Sequence, residues 1–227
     1  TRIKWGLHDG RDWVAGGAAG HEESDRLERE WAVLPQPALV AAANVAGTQA
    51  QERIAHGASR WGLAVRWLQS TREAGGVRNL YDDPAQLGVD RWAAVVAARA
   101  VHQRGCLVVI AGTATTLNLL DADGTFRGGA IIPGVALMKR ALAANTARLP
   151  FAEGRHRDEP RNTADAIETG CLEAEAGAIE RMRRHLGPDA ACLVSGGFAG
   201  ALLPLLAPDA EYVEHLVLDG VRLLGAP

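Results

Sequence analysis

Apolar residues in this chain fall into short runs between glycine-rich and polar breaks, and the runs keep two periods. Residues 106–110 are a continuous stretch of aliphatic and β-branched side chains between Gly105 and Gly112. A run of that length with those bounds predicts a strand buried on both faces. Small residues from Gly112 to Thr116 form a tight turn. Beyond it Leu117 and Leu119 alternate with Thr116 and Asn118, the pattern of a half-buried strand. Asp123-Gly124 is a hairpin signal, and a third apolar stretch ends at Ile131-Ile132, where Pro133-Gly134 stops it. The N-terminus carries a fainter copy: Ile3, Trp5 and Leu7 alternate ahead of Asp9-Gly10.

Helical periods fill the intervals. Residues 16–20 are expected as a flexible link, and 22–31 as a charged, solvated helix. Strands at 38–43 and 63–68 flank a helix at 48–58, a βαβ unit. Asp90 stands at the mouth of a helix reaching about residue 103, with Trp92, Val95 and Val96 on one face. A further helix spans 135–144, and 151–162 is a polar loop expected to be mobile. Thr163 opens a long helix that Gly187-Pro188 ends. After it come a buried strand at 191–194, a Ser195-Gly196-Gly197 turn into a helix, and a last helix at 216–224.

Composition narrows the class. The 227 residues can bury a real core, and 48% hydrophobic with 22% charged residues is ordinary for a soluble protein. A net charge of −3 gives no general reason to expect nucleic acid or a membrane as partner. No apolar run reaches the roughly 18 residues of a membrane span, and no charged-then-apolar leader opens the chain. Cys106, Cys171 and Cys192 lie in apolar or helical surroundings, as expected of reduced core thiols in a cytoplasmic protein. CxxC, HExxH, GxGxxG and Walker A spacings are absent, and no histidine pairs with a Ser or Cys in a nucleophile motif.

Three places carry candidate chemistry. Backbone N–H groups and hydroxyls at the Gly112 turn can cradle phosphate, although a hairpin without ligand has the same pattern. Two such turns, one per half, point to a two-lobed nucleotide clamp. Asp90 reads as a helix cap or as a functional carboxylate, and Arg91 with Tyr81 would make a polar cluster if the loop folds back. Thr163 is a helix cap or a first-turn residue.

Taken together, TRIKW at the start, Tyr81 with LGVDRW, AGTATT with DADG and GGAIIPG, the NTADAIETG run and SGG resemble the type III pantothenate kinases, including the branch named Bvg accessory factor. The resemblance implies an α/β fold of two actin-like (hexokinase-like, ribonuclease H-like) lobes, split near residues 104 and 105, with a nucleotide cleft between them. It implies transfer of the γ-phosphoryl group of ATP to the 4′-hydroxyl of pantothenate, the first step of coenzyme A synthesis, by a cytoplasmic homodimer. Mg²⁺ and a monovalent cation (K⁺ or NH₄⁺) are the implied ions. Carried across by motif, Thr1, Arg2, Ile3 and Lys4 end the first nucleotide turn, and Gly112 and Thr113 form the second. Tyr81, Gly88, Val89, Asp90, Arg91 and Thr163 make the pantothenate pocket, with Asp90 as proton acceptor. The family's first turn starts with Asp-x-Gly-Asn ahead of Thr1, so its metal-organising Asp cannot be assigned here. The second turn's usual Asp is Ile110 in this chain, which removes the familiar monovalent-cation ligand. A non-catalytic ATP-binding regulator on the same scaffold is the alternative. A sugar or acetate kinase fits the LGVDR cluster less well.

Overall fold

The computed structural model describes residues 2–20, 23–151 and 153–226. Thr1, and Glu22 at the start of the expected first helix, lie outside the described residues. The fold is α/β, as expected.

Strands β1 (Arg2–His8) and β2 (Trp13–Gly20) form an antiparallel hairpin, so the stretch expected as a flexible link is half of a strand. Its small residues make room for indoles. A Cβ on Gly6 would meet the Trp13 ring at 2.7 Å, and one on Gly17 would meet Trp5 Nε1 at 2.9 Å. Helix α1 (Ser24–Ala32) is amphipathic rather than solvated, because Leu27 and Trp31 are buried against Ile3 and Ile54. The expected βαβ unit is present: β3 (Val40–Ala42) and β4 (Val65–Trp67) pair in parallel around α2 (Thr48–Ser59).

The main sheet has seven strands. β7 (Cys106–Ala111), β8 (Ala114–Leu120) and β9 (Thr125–Pro133) form an antiparallel meander. β10 (Ala191–Ser195) and β11 (Ala210–Tyr212) extend one edge in parallel. The other edge is β6 (Val77–Asn79), parallel to β9, and then β5 (Glu73–Ala74). The sheet therefore takes up residues from both sides of the 104/105 boundary expected between lobes. Alternation assigns the faces. Leu107, Val109, Leu117 and Leu119 pack with α5 (Thr163–Arg183), while Cys106, Val108 and Leu120 pack with α3 (Val89–Val101). A strand covered on both sides cannot be half-buried: Leu117, Asn118 and Leu120 are all fully buried.

Helix α7 (Leu216–Gly225) lies against α3 with no side chain between them at Gly220, where a Cβ would come within 1.8 Å of Ala93 O. It also holds the N-terminal strands. Trp13 Nε1 donates to Asp219 Oδ1 at 2.8 Å, and Arg66 Nη1 donates to Gly225 O at 3.0 Å. On the opposite face α4 (Val135–Asn145) packs beside α5, followed along the chain by the short α6 (Ala199–Leu202). The segment ahead of α5 is tied down rather than loose: Arg155 N–H donates to Asp165 Oδ1 at 2.9 Å and Arg157 N–H to Thr169 Oγ1 at 3.0 Å. Among the described residues no helix is long and apolar enough to cross a membrane.

Candidate active site

Three backbone segments converge at the C-terminal end of β7. The turn between β7 and β8 is only Gly112-Thr113, closed by Gly112 N–H donating to Ala114 O at 3.2 Å. Gly134, at the head of α4, donates its N–H to Thr113 O at 3.0 Å, and a Cβ there would stand 2.2 Å from Gly112 O. Gly196 has φ +104°, and a Cβ on it would stand 2.2 Å from Ala111 O. Phe198 N–H donates to that same carbonyl at 3.2 Å. The result is a small-residue backbone cradle of the kind that suits phosphate. Thr113 is exposed at its tip. Thr115 points into the core instead, where its hydroxyl donates to Oε2 of the fully buried Glu175 at 2.7 Å. Burial pushes the Glu175 carboxyl above the ordinary carboxylate range, against the opposing pull of Thr115 and the Val135 backbone N–H.

The second cluster forms where the chain folds back ahead of α3. Arg72 Nη1 donates to Asn79 O and Tyr81 O, both at 2.8 Å, and Nη2 donates to Asp82 O at 3.1 Å. Asn79 Oδ1 accepts from Tyr81 N–H at 3.0 Å. So held, the Tyr81 ring stacks on Phe126 at 5.8 Å and lies 5.8 Å from the Arg91 guanidinium. Arg91 Nη1 donates to Tyr81 OH and Nε to Asn118 Oδ1, each at 2.8 Å. Its Nη2 is buried with no hydrogen-bond partner, and no carboxylate pairs with it among the described residues. Asp90 is half-buried beside it in the first turn of α3, with Oδ1 accepting from Arg91 N–H at 2.8 Å. The N-cap is Gly88, which has no side chain to offer, and a Cβ there would meet Asp90 Oδ1 at 2.8 Å. Asp90 is thus a first-turn carboxylate near the positive end of a helix, not the cap.

The other expected site residues are spread more widely. Val89 is buried at the start of α3. Ile3 is part of the N-terminal core, while Arg2 and Lys4 are exposed on β1. Thr163 is exposed in the first turn of α5, whose cap is Asn162, with Oδ1 accepting from Asp165 N–H at 2.9 Å. It forms no hydrogen bond with Tyr81, Asp90 or Arg91. Ile110 is half-buried on β7, paired across from Thr116 and Ser195. Among the described residues no group of three or more His, Cys, Asp or Glu could hold a metal ion.

The sequence profile of the type III pantothenate kinases matches residues 1–185. The chain belongs to the type III pantothenate kinase family. It is 51% identical over 226 residues to the type III pantothenate kinase of Aromatoleum aromaticum, covering 99% of this chain and 93% of that one. The type III pantothenate kinase of Dechloromonas aromatica is 47% identical over 225 residues, with 99% and 94% covered. Among solved structures, a Campylobacter jejuni protein described as a Baf family transcriptional activator superposes with a TM-score of 0.60 at 20% identity, covering 91% of this chain and 87% of that one. That likeness concerns the fold alone. The α/β architecture expected of a type III pantothenate kinase is the one present, built around a mixed sheet.

Asn118 is the site residue that the sequence pattern hid. Its alternation with Leu117 and Leu119 reads as a solvent-facing polar position, but α3 covers that face. A polar side chain in a strand covered by helices on both faces is the signal that identifies it.

Proposed function

We propose that this chain phosphorylates pantothenate on its 4′-hydroxyl with ATP, using the cluster ahead of α3 as the acceptor pocket and the Gly112-Thr113 turn as the nucleotide turn. One observation carries the reading: a buried guanidinium, fixed by Tyr81 and Asn118 and with no carboxylate paired to it among the described residues, belongs to the residue whose backbone N–H holds the Asp90 carboxylate in the first turn of the same helix. In this reading the pantothenate hydroxyl oxygen attacks the γ-phosphorus, the bond to the β,γ-bridging oxygen breaks, and ADP leaves. The hydroxyl proton passes to Asp90. Phosphoryl transfer has a loose transition state, so Asp90 aligns the hydroxyl first and takes its proton late. Arg91 holds the substrate's polar or anionic end, and Thr163 is the second substrate contact. Arg2, Ile3 and Lys4, with Thr1, complete the nucleotide site from the first turn.

The ions, Mg²⁺ and K⁺ or NH₄⁺, rest on the resemblance, and so do the cytoplasmic location, the two-lobed division and the Bvg accessory factor branch. Burial holds the Cys106 and Cys192 thiols up at about 12, which suits inert core thiols. We infer a homodimer through α4 and the start of α5. Met138 and Leu142 pack into the chain's own core, but Leu137, Ile131 and Phe151 stay 37%, 62% and 59% exposed. Light scattering at micromolar concentration should give twice the 24.0 kDa chain mass.

The deciding experiment is ATP-dependent phosphorylation of pantothenate by the chain with the family's Asp-x-Gly-Asn turn placed ahead of Thr1. Formation of 4′-phosphopantothenate is expected. ATP binding with no product would instead favour the regulator.

A further inference from the structure

A guanidinium removed from water normally faces a carboxylate, because an unpaired buried charge is strongly unfavourable. Arg91 is 5% exposed, yet its acceptors are a phenol and an amide, both neutral, and Nη2 has no acceptor among the described residues. Asn118 decides this. It is fully buried on β8, and its Nδ2 donates to Val108 O at 3.0 Å and to Thr116 Oγ1 at 3.2 Å. Those two donations leave only the amide oxygen to turn toward Arg91, so the orientation follows from the network. Through Nε the oxygen fixes the plane of the guanidinium, and with Tyr81 it fixes where Nη2 points. An aspartate of the same shape could accept the same hydrogen bond, but it would also neutralise the charge.

We propose that Asn118 is a positioning residue with a second task, selectivity. It orients Arg91 while leaving its charge uncompensated, so that the acceptor pocket prefers an anionic substrate over a neutral one of the same shape. The inference rests on the pantothenate kinase reading, and it gives a reason for the neutral amide at this position. Asn118 also sits on the strand that leaves the Gly112-Thr113 turn, so the same rigid strand sets the nucleotide turn and the substrate's charge contact.

Pantothenate and pantothenol test it, since both carry the same 4′-hydroxyl and only the first is an anion. Affinities of both are measured by calorimetry on the parent chain, on Asn118→Asp and on Asn118→Ala, with steady-state KM and kcat alongside. The parent should bind pantothenate on the order of 10-fold or more tightly than pantothenol, the scale of one charge-assisted hydrogen bond. In Asn118→Asp the ratio should collapse toward one through a rise in the pantothenate KM, with kcat moving less. Asn118→Ala, which adds no charge but frees the guanidinium, should also lower the ratio and serves if the Asp variant does not fold. Equal affinity of the parent for both compounds overturns the proposal. So does an unchanged ratio in a folded variant, which is what a merely structural role predicts. Because calorimetry reads the preference without turnover, a parent that prefers pantothenate but makes no product counts against the kinase reading and leaves this inference standing.

Discussion

Arg91 reaches back along the chain to Tyr81, its Nη1 donating to the phenol oxygen at 2.8 Å while the ring stacks on Phe126. The aromatic stack makes the phenol a fixed acceptor. Tyr81→Phe keeps the stack and leaves Nη1 without a partner. A hydrogen bond to a charged donor contributes about 1.5–3 kcal/mol, so denaturant unfolding should show a loss of roughly that size. The pantothenate KM should rise while the ATP KM stays near the parent value. Equal rises in both would separate Tyr81 from the acceptor pocket.

Gly134 tests the nucleotide turn from outside it. Its φ of −71° suits any residue, so Gly134→Ala meets no backbone strain, but a new Cβ would stand 2.2 Å from Gly112 O and 2.8 Å from Thr113 O. Backbone must shift, and overpacking of this kind typically destabilises by about 1–3 kcal/mol. If Gly112-Thr113 holds nucleotide, the ATP KM should rise several-fold more than the pantothenate KM. Titrating each substrate at saturating levels of the other measures this, and the reverse order would point the turn at the acceptor.

Much of the architecture was legible because burial and period agree. The 106–110 run, the Asp123-Gly124 hairpin and the helix from Asp90 appear where their patterns put them, since strands and helices covered by neighbours carry clean apolar periods. Motif order also brought out Tyr81 and Arg91, whose contact depends on Arg72 pinning the loop. Three things were not legible. The strand at 13–20 has small residues in place of a β-rich run, because Trp5 and Trp13 fill the space above them. Pairing of β6 with β9 is a long-range choice that no local pattern encodes. Asn118 looked solvated because alternation tells which residues share a face, not what covers it.

Glu175 gives the chain a pH signature. Its carboxyl is raised by burial above the ordinary 4.5, so the folded protein binds a proton there that the unfolded chain releases. Its favourable contribution is complete below about pH 4.5 and is lost as pH rises through the folded value. Glu175→Gln keeps the acceptor for Thr115 and cannot ionise. Thermal melts of both proteins across pH 4.5 to 8 should show the variant gaining on the parent as pH increases. A constant gap would mean that the carboxyl stays ionised in the fold.

Potassium should matter less, or bind differently, than in relatives with Asp at the Ile110 position. The Ile110 side chain offers no oxygen to a hard cation. Activity in buffers free of K⁺ and NH₄⁺ should stay within a few-fold of that with either ion. A strict requirement would show that oxygens of Thr116 or Ser195, across from Ile110 in the sheet, replace the carboxylate.

Asp90 separates kinase from regulator. Its Oδ1 is fixed by Arg91 N–H at 2.8 Å, and Gly88 leaves no room on that side for a Cβ. Asparagine at this position can accept the same backbone hydrogen bond and fill the same volume. What it cannot do is take a proton. Since Gly88 is the N-cap and Asp90 a first-turn residue, the structural loss is limited to the interaction of one charge with the helix end, about 0.3–1 kcal/mol. A positioned proton acceptor contributes about 10² to 10⁴ in rate. Asp90→Asn should therefore lower kcat by a factor in that range, with the melting temperature and ATP affinity near the parent values and pantothenate still bound. Unfolding would make Asp90 a structural residue. Turnover near the parent rate in a folded variant would put the proton acceptor elsewhere, and the acceptor pocket would then have to be redrawn around Arg91 alone.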